Sequence, residues 1–339
     1  MYQIKEVILD SETTELVSFL KQNNLDYETD ITYSILVYDG TKIIATASLA
    51  HRIMKCFAVD NKYSGQNITG LMFHHLIEML QADGISHYFV FTTPENESIF
   101  KSFNMKKIVR TMNTVLLEGG DDITSVLSRL KKQNNISNSK KGCIIMNANP
   151  MTNGHLYLVE EALKQYEEVI IFVVSEDVSS FPYIDRFEII KDATKHLKGV
   201  VVVPSLSYLV SRITFPKYFL KEDQLIKDEQ TLIDVLIYKE YYQKTFNIDK
   251  RFVGSEPFSA NTNKYNKVLK DYLGIKVEII ERKELDSQAI SASQVRRLIK
   301  GNHVDKIKNI VPEATYDYLK SERGQYIIRI IQKKKLGRH

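Results

Sequence analysis

Apolar and polar positions alternate in short blocks along the chain, and the blocks fall into two successive series of strands and helices. In the first series an apolar run from Ile4 to Leu9 predicts a strand, after which Ser11 opens a helix. Two strand-like runs then flank Asp39-Gly40, a pair that tolerates positive φ and so predicts a tight hairpin. A strand from Met54 to Val59 leads through Tyr63-Ser64-Gly65-Gln66-Asn67 into a helix running to Ala82, with Leu71, Leu76, Met79 and Leu80 as its apolar face. A strand from Tyr88 to Thr92, a helix from Glu95 to Phe103 and a strand from Lys107 to Leu117 close this series. The pattern predicts a compact α/β domain over residues 1–120.

The character then changes. The polar run Lys131-Lys132-Gln133-Asn134-Asn135-Ile136-Ser137-Asn138-Ser139-Lys140-Lys141 offers too little apolar surface to pack by itself, which predicts a linker over 121–141. The second series, over 142–339, begins with a strand at Cys143 to Met146. A helix from Gly154 to Tyr166, a strand from Val169 to Val174, a helix from Arg186 to His196 and a strand from Val200 to Val203 follow. Short apolar strands alternating with helices predict a parallel sheet covered on both faces. Residues 205–250 interrupt the series with helix and loop, suited to shaping a second substrate pocket. Further strands are predicted at Arg251 to Gly254 and Val277 to Ile280, and closing helices at Ser291 to Lys300, His303 to Ile310 and Pro312 to Leu319. Ser291 and Gln294 have capping-box spacing, and Pro312 suits a first helical position.

Charge narrows the function classes. The net charge of +4 comes from 46 basic and 42 acidic residues, so no single-sign field gathers nucleic acid or an anionic membrane, whereas small anionic substrates fit. Cys56 and Cys143 are the only cysteines, both within apolar runs, which excludes a disulfide framework and a thiolate metal site and predicts buried, inert thiols. Neither a signal-like N-terminal run nor a membrane-length apolar stretch is present in the sequence, which predicts a cytoplasmic protein.

Two stretches carry candidate chemistry. Met146-Asn147-Ala148-Asn149-Pro150-Met151-Thr152-Asn153-Gly154-His155 passes from a strand into a helix, which turns backbone N–H groups toward the carboxyl edge of a parallel sheet, a phosphate-binding position. Gly154 permits close backbone approach, Thr152 offers a hydroxyl, and His155 can donate to a phosphoryl oxygen. In Ile290-Ser291-Ala292-Ser293-Gln294-Val295-Arg296, two hydroxyls precede a guanidinium about one helical turn on, able to clamp a polyphosphate. Plain helix starts, with a surface His, a capping Ser291 and a solvated Arg296, are the alternative reading.

Together these elements resemble the Thr/His-x-Gly-His and Ile-Ser-Ser-Thr-x-x-Arg motifs of the nucleotidyltransferase superfamily, with Ala292 and Ser293 at the Ser and Thr positions. The resemblance implies a Rossmann-like domain in which Thr152 and His155 contact ATP phosphates and Arg296 stabilises departing pyrophosphate. It places Asn149, Gly154, Ser291 and Ser293 at the nucleotide. Gly254-Ser255-Glu256 resembles the superfamily's Gly-x-Asp region near the nucleoside, with Glu256 in place of Asp. Arg186 and Lys191, on the helix after Pro182-Tyr183, are further phosphate candidates, a solvated helix face being the alternative. Mg²⁺ would accompany ATP, held by phosphate oxygens and water, with no protein ligand.

In the first half, Val59-Asp60-Asn61-Lys62-Tyr63-Ser64-Gly65-Gln66-Asn67 resembles the pyrophosphate-binding loop of GNAT-type acetyltransferases, with Lys62 where Gln or Arg is usual and Asn67 where a small residue is usual. Phe100 to Met105 resembles that fold's late helix-to-strand segment, with Asn104 at another small-residue position. A GNAT-like fold is implied, with Lys62, Gly65 and Asn67 holding a CoA-like phosphopantetheine arm; a scaffold domain is the alternative. A GNAT-like half before a nucleotidyltransferase half resembles the citrate lyase ligase family over nearly the whole chain. Asp185-Arg186-Phe187-Glu188 and Val253-Gly254-Ser255-Glu256-Pro257-Phe258 look like its members. That implies activation of acetate by ATP as acetyl-adenylate and acetylation of the thiol on the phosphoribosyl-dephospho-CoA prosthetic group of the citrate lyase acyl carrier protein. The residues alone leave open transfer of AMP to a phosphorylated cofactor precursor, or a non-catalytic nucleotide-binding regulator. The basic tail from Lys333 to His339 is expected to be solvated.

Overall fold

The computed structural model describes residues 2–177, 179–209, 219–220, 223–255, 260–281, 284–285 and 288–333. The chain divides into two compact units, Met1–Val126 with Ile213–Ile237, and Leu127–Arg212 with Tyr238–His339.

The first unit contains β1 (Gln3–Glu6), α1 (Asp10–Gln22), β2 (Tyr33–Asp39), β3 (Lys42–Ala50), β4 (Ile53–Val59), α2 (Ile68–Ala82), β5 (Tyr88–Thr92), α3 (Glu97–Ser102), β6 (Lys106–Arg110) and β7 (Val115–Gly119). The strands form one mixed sheet in the order β1-β2-β3-β4-β5-β7-β6. Gly40, at φ +61°, makes the β2–β3 hairpin turn that its sequence predicts. Only β4 and β5 run parallel, and they pair only at Ile53–Phe89 and Met54–Val90. Beyond that point β4 continues unpaired with β5 toward the glycine loop. This is the α/β arrangement implied by the GNAT resemblance. Two expectations change. The run from Lys107 to Leu117 is a hairpin of β6 and β7 rather than one strand. On α2 the buried stripe is Ile68, Met72, Phe73, Leu76 and Leu80, while Leu71 is 39% exposed. An apolar count alone does not fix which side of a helix meets the sheet.

The segment 121–141 differs from its reading as a linker. It contains α4 (Ile123–Gln133), and Ile123, Leu127 and Leu130 are buried. These three positions repeat at one helical face, and Asp122 Oδ1 accepts from Ser125 N–H at 3.0 Å as an N-terminal cap. Even the polar run is anchored in places. Ile136 is buried, and fully buried Lys141 donates its ammonium to the Ser137 and Ser139 carbonyls. A second departure is α7 (Asp223–Ile237), which belongs with the first unit although it lies within the second unit's strand series. Its buried Glu229 accepts from Thr111 Oγ1 at 2.5 Å and Asn113 Nδ2 at 2.8 Å in the β6–β7 turn. So much of 205–250 as is described therefore includes a helix packed on the first unit; 210–218 and 221–222 lie outside the described residues.

The second unit is built on β8 (Lys141–Met146), β9 (Val169–Val173), β10 (Val200–Pro204), β11 (Ile248–Gly254) and β12 (Val277–Ile280), all parallel, in the order β10-β9-β8-β11-β12. Strand order therefore runs outward in one direction from β8 through β9 to β10, and in the other through β11 to β12. The reversal lies between β8 and β11, and crevices that receive ligands in open parallel sheets form at the carboxyl ends of such a pair. Helices α5 (Asn153–Leu163) and α6 (Tyr183–Thr194) are crossovers following β8 and β9; α8 (Gln243–Thr245) precedes β11 and α9 (Ala260–Leu273) follows it. A short hairpin, β13 (Glu284–Leu285) with β14 (Gln288–Ala289), leads to α10 (Ala292–Lys300), α11 (Glu313–Lys320) and α12 (Glu322–Lys333). Pro312 stands at the N-cap of α11 rather than inside its first turn. The helix expected from His303 to Ile310 is reduced to one 3₁₀ turn at Val304–Ile307. Helix α12, legible in Tyr326-Ile327-Ile328 only afterwards, buries Ile327, Ile328 and Ile331 in one cluster with Val295, Ile299 and Leu319. Lys333 ends this helix, and the rest of the basic tail lies outside the described residues. Among the described residues, no helix is long and apolar enough to cross a membrane.

Candidate active site

Strand β8 ends at Met146, and the chain turns over Asn147 to Pro150 before α5 starts at Asn153. Ala148 takes φ +43°, and the Asn149–Pro150 bond is cis. Thr152 is the N-cap of α5, only 1% exposed, and a hydrogen-bonded pair sets the ring that follows it. The Thr152 backbone N–H donates to His155 Nδ1 at 3.1 Å, and Thr152 Oγ1 lies 2.8 Å from the same nitrogen. A nitrogen that accepts from a backbone N–H carries no proton, so the neutral ring is protonated at Nε2, leaving Nε2–H as the donor. Thr152 thus acts first on His155, a role the sequence reading did not separate from direct phosphate contact.

The motif is braced from the C-terminal helices. Asn153 N–H donates to the Ile310 carbonyl at 3.0 Å and its side-chain amide to the Asn309 carbonyl at 3.1 Å. Thr315 Oγ1 donates to the Met151 carbonyl at 3.0 Å. Gly154 N–H has no acceptor among the described residues, as expected of a donor in the first turn of a helix and open to an anion. A Cβ on Gly154 would stand 3.2 Å from the Ile290 carbonyl oxygen. Glycine thus accommodates the close approach of the segment leading into α10.

That approach joins the two sequence motifs. Ser291 caps α10, its Oγ accepting from Gln294 N–H at 3.1 Å. Arg296, half-buried one turn on, donates from Nη1 to the Asn149 carbonyl and from Nη2 to Ser293 Oγ at 3.0 Å. Burial pushes the Arg296 pKa down from its ordinary value. The guanidinium has five donor hydrogens, so it retains further donors for a ligand. Asn149 is held at both ends, because its Oδ1 accepts from Phe181 N–H at 3.0 Å. Gly254, the last residue of β11, lies across the strand-order reversal from this loop, and a Cβ there would meet nothing within 4 Å. Glu256 lies outside the described residues.

Two candidates are placed differently. Arg186 is fully buried on α6, and four of its five donor hydrogens go to backbone carbonyls: Phe181 at 3.0 Å, Asn147 at 2.9 Å, Val174 at 2.8 Å and Glu176 at 2.8 Å. Burial pushes its pKa down. It is a brace inside the loops and not a phosphate ligand. Lys191 is exposed in the last turn of α6, whose first turn faces the carboxyl edge, so it stands at the opposite end of that helix, roughly 12 Å along the axis for eight residues. Sequence reasoning missed Phe181 and Ile290, whose contributions are backbone atoms and leave no side-chain signature.

Comparison with known proteins decides the family. The profile of the citrate lyase ligase C-terminal domain matches residues 141–319. The chain belongs to the citrate lyase ligase family. It is 32% identical over 322 residues to the [citrate [pro-3S]-lyase] ligase of Escherichia coli K12, spanning 92% of this chain and 91% of that one. The corresponding ligase of Haemophilus influenzae is 33% identical over 330 residues, spanning 94% and 98%. A solved structure, Escherichia coli ElaA, aligns with 35% of this chain and 99% of its own at 11% identity and a TM-score of 0.31. Membership makes the chain an enzyme, an ATP-binding ligase of this family.

Neither cysteine is built as a nucleophile in this enzyme. Cys56 and Cys143 are buried, and burial pushes both thiols up to about 12. Among the described residues no group of three or more His, Cys, Asp or Glu is placed to hold a metal ion.

Proposed function

We infer that this citrate lyase ligase activates acetate with ATP and passes the acetyl group to the thiol of a phosphoribosyl-dephospho-CoA arm on the acyl carrier protein. The observation that carries the reading is the meeting of the two motifs at the strand-order reversal: Arg296 on the Asn149 carbonyl, and Gly154 against Ile290. An acetate oxygen attacks the α-phosphorus of ATP as the bond to pyrophosphate breaks, giving acetyl-adenylate. The carrier thiolate then attacks the acetyl carbon, the bond to the adenylate oxygen breaks, and AMP leaves; the thiol proton passes to solvent.

The chain's residues supply position and charge. His155, donating from Nε2, and Gly154 N–H meet the phosphate oxygens on which charge builds, and Thr152 holds the ring in the donating tautomer. Arg296 neutralises the departing pyrophosphate, with Ser293 orienting its second nitrogen. Ser291 acts by capping α10, and Gly254 leaves room for the nucleoside. Mg²⁺, carried on ATP, offsets phosphate charge when bound. In the first unit, the loop around Lys62, Gly65 and Asn67 receives the phosphorylated arm, the Lys62 N–H being held by Asp60. The dependence on ATP and on a bacterial carrier protein suits the cytoplasm.

The test is product analysis after mixing the enzyme with ATP, acetate and deacetylated citrate lyase. AMP, pyrophosphate and restored lyase activity are expected together. A dinucleotide retaining the AMP, or tight ATP binding with no turnover, would overturn the reading.

A further inference from the structure

Arg186 is the largest fully buried side chain of the described residues, and it is a cation ligated by neutral carbonyls. Its four acceptors lie on two loops at the carboxyl edge of the sheet: Asn147 in the β8–α5 loop, and Val174, Glu176 and Phe181 in the loop that joins β9 to α6. A buried charge held this way fixes those segments relative to one another, because each carbonyl would lose a charge-assisted hydrogen bond by moving. The link continues outward. Phe181, whose carbonyl accepts from Arg186, donates its own N–H to Asn149 Oδ1, and the Asn149 carbonyl accepts from Arg296.

We propose that Arg186 is a positioning residue for adenylation, acting through Phe181 and Asn149 to hold the β8–α5 loop and Arg296 in register for the ATP phosphates. The proposal rests on the reading of that loop as the ATP site. A planar fork is needed at this position. Lysine keeps the charge but presents its donors from one nitrogen, which does not serve four carbonyls spread over two loops.

Steady-state ATP–pyrophosphate exchange with the full chain tests this, using Arg186→Lys, Asn149→Ala and the double variant, with a melting curve for each. Arg186→Lys is expected to raise the KM for ATP roughly tenfold, with a smaller change in the KM for acetate, in the range seen when groups orienting ligand-binding residues are removed. Asn149→Ala, which cuts the surface end of the link, is expected to raise it roughly fivefold with little loss of melting temperature. Because both act through one path, the double variant should show clearly less than the product of the two single effects. An ATP KM for Arg186→Lys within twofold of the parent, with a lower melting temperature, would make Arg186 a fold brace only. Should Arg186→Lys fail to fold, an unchanged ATP KM for Asn149→Ala overturns the proposal on its own. A parent enzyme that does not bind ATP would instead sink the underlying site reading.

Discussion

The chain twice enters a helix from a glycine-bearing loop, before α2 in the first unit and before α5 in the second, and the two helix starts are built differently. Before α2, Asn67 caps in the left-handed region at φ +57° with no side-chain cap hydrogen bond, and Gly65 sits at φ +79°. The Asn67 carboxamide lies over Gly70, where a Cβ would meet its Oδ1 at 2.4 Å. The loop is tied back at its base: Asp60 accepts from Lys42 Nζ at 2.6 Å and from Lys62 N–H at 3.0 Å, and Tyr63 donates to Asp39 at 2.9 Å. Before α5, Thr152 and His155 form a reciprocal cap in which the His155 ring accepts from the Thr152 N–H, and carbonyls of the loop are held by Arg186, Arg296 and Thr315. Backbone N–H groups at a helix start are enough to receive an anion. At the second start donors are also oriented from outside the loop, which is what the proposed chemistry on that anion requires.

The comparison breaks most visibly at His155. His155→Ala is expected to lower acetate-dependent ATP–pyrophosphate exchange by about 10²–10³-fold, the range for removing one preorganised donor to developing negative charge. Loss of the cap partner should cost about 1 kcal/mol of stability, measured by denaturant melts. Exchange at the parental rate would leave α5 no different in kind from α2.

Arg296→Met should reduce exchange by about tenfold to a hundredfold, since it removes both the pyrophosphate partner and the grip on Asn149. Arg296→Lys should recover only part of this, because one nitrogen does not serve Asn149 and Ser293 together.

Gly154→Ala sharpens the contrast through its sign. Glycine to alanine within a helix ordinarily stabilises by roughly 0.5–1 kcal/mol. Here the new Cβ stands 3.2 Å from a backbone carbonyl, so α10's lead-in must shift. The expected result is a lower melting temperature and an ATP KM raised about fivefold. A stabilised variant with unchanged KM would show that the contact of the two motifs is incidental.

The smallest effect concerns the first loop. The Lys42 ammonium, followed by the Lys62 N–H, holds the Asp60 carboxyl below its ordinary value of 3.8. A carboxyl depressed in the folded state contributes order that is present above its ordinary pKa and is lost as pH falls through the lower folded value. Amide exchange of residues 62–67 should therefore quicken, relative to its intrinsic rate, as pH is lowered below 3.8, while Asp60→Asn should show no such step. An identical pH profile in both proteins would show that the loop is held by other contacts.

Much of this architecture is legible in local pattern. The β2–β3 hairpin follows from Asp39-Gly40, and the parallel sheet of the second unit from short apolar strands between helices. Thr152, Gly154, His155 and Arg296 announce themselves by residue type. What pattern does not reveal is orientation and depth. Arg186 and Lys191 both read as cations on one helix, and only the packing of α6 buries the first among carbonyls and leaves the second exposed at the far end. The linker reading of 121–141 was drawn from a polar run, while Ile123, Leu127 and Leu130 just before it form a helical stripe. α7 likewise shows nothing in its own sequence of the unit on which it packs.

By itself the sequence determined that the second half is a parallel α/β unit, that a glycine-bearing turn carrying Thr152 and His155 follows its first strand, and that a serine-capped helix with an arginine lies downstream. These are local properties, set by periodicity, capping residues and side-chain chemistry. Tertiary structure alone decided that the turn and the arginine meet at Asn149, that Thr152 fixes the tautomer of His155, and that Arg186 holds the loops from within. Each depends on carbonyl and amide groups from distant segments, which every residue carries alike and whose partners appear only when the chain is folded. The Thr152-Asn153-Gly154-His155 turn is legible as a run of residue types, and its surroundings decide how each of its groups is held.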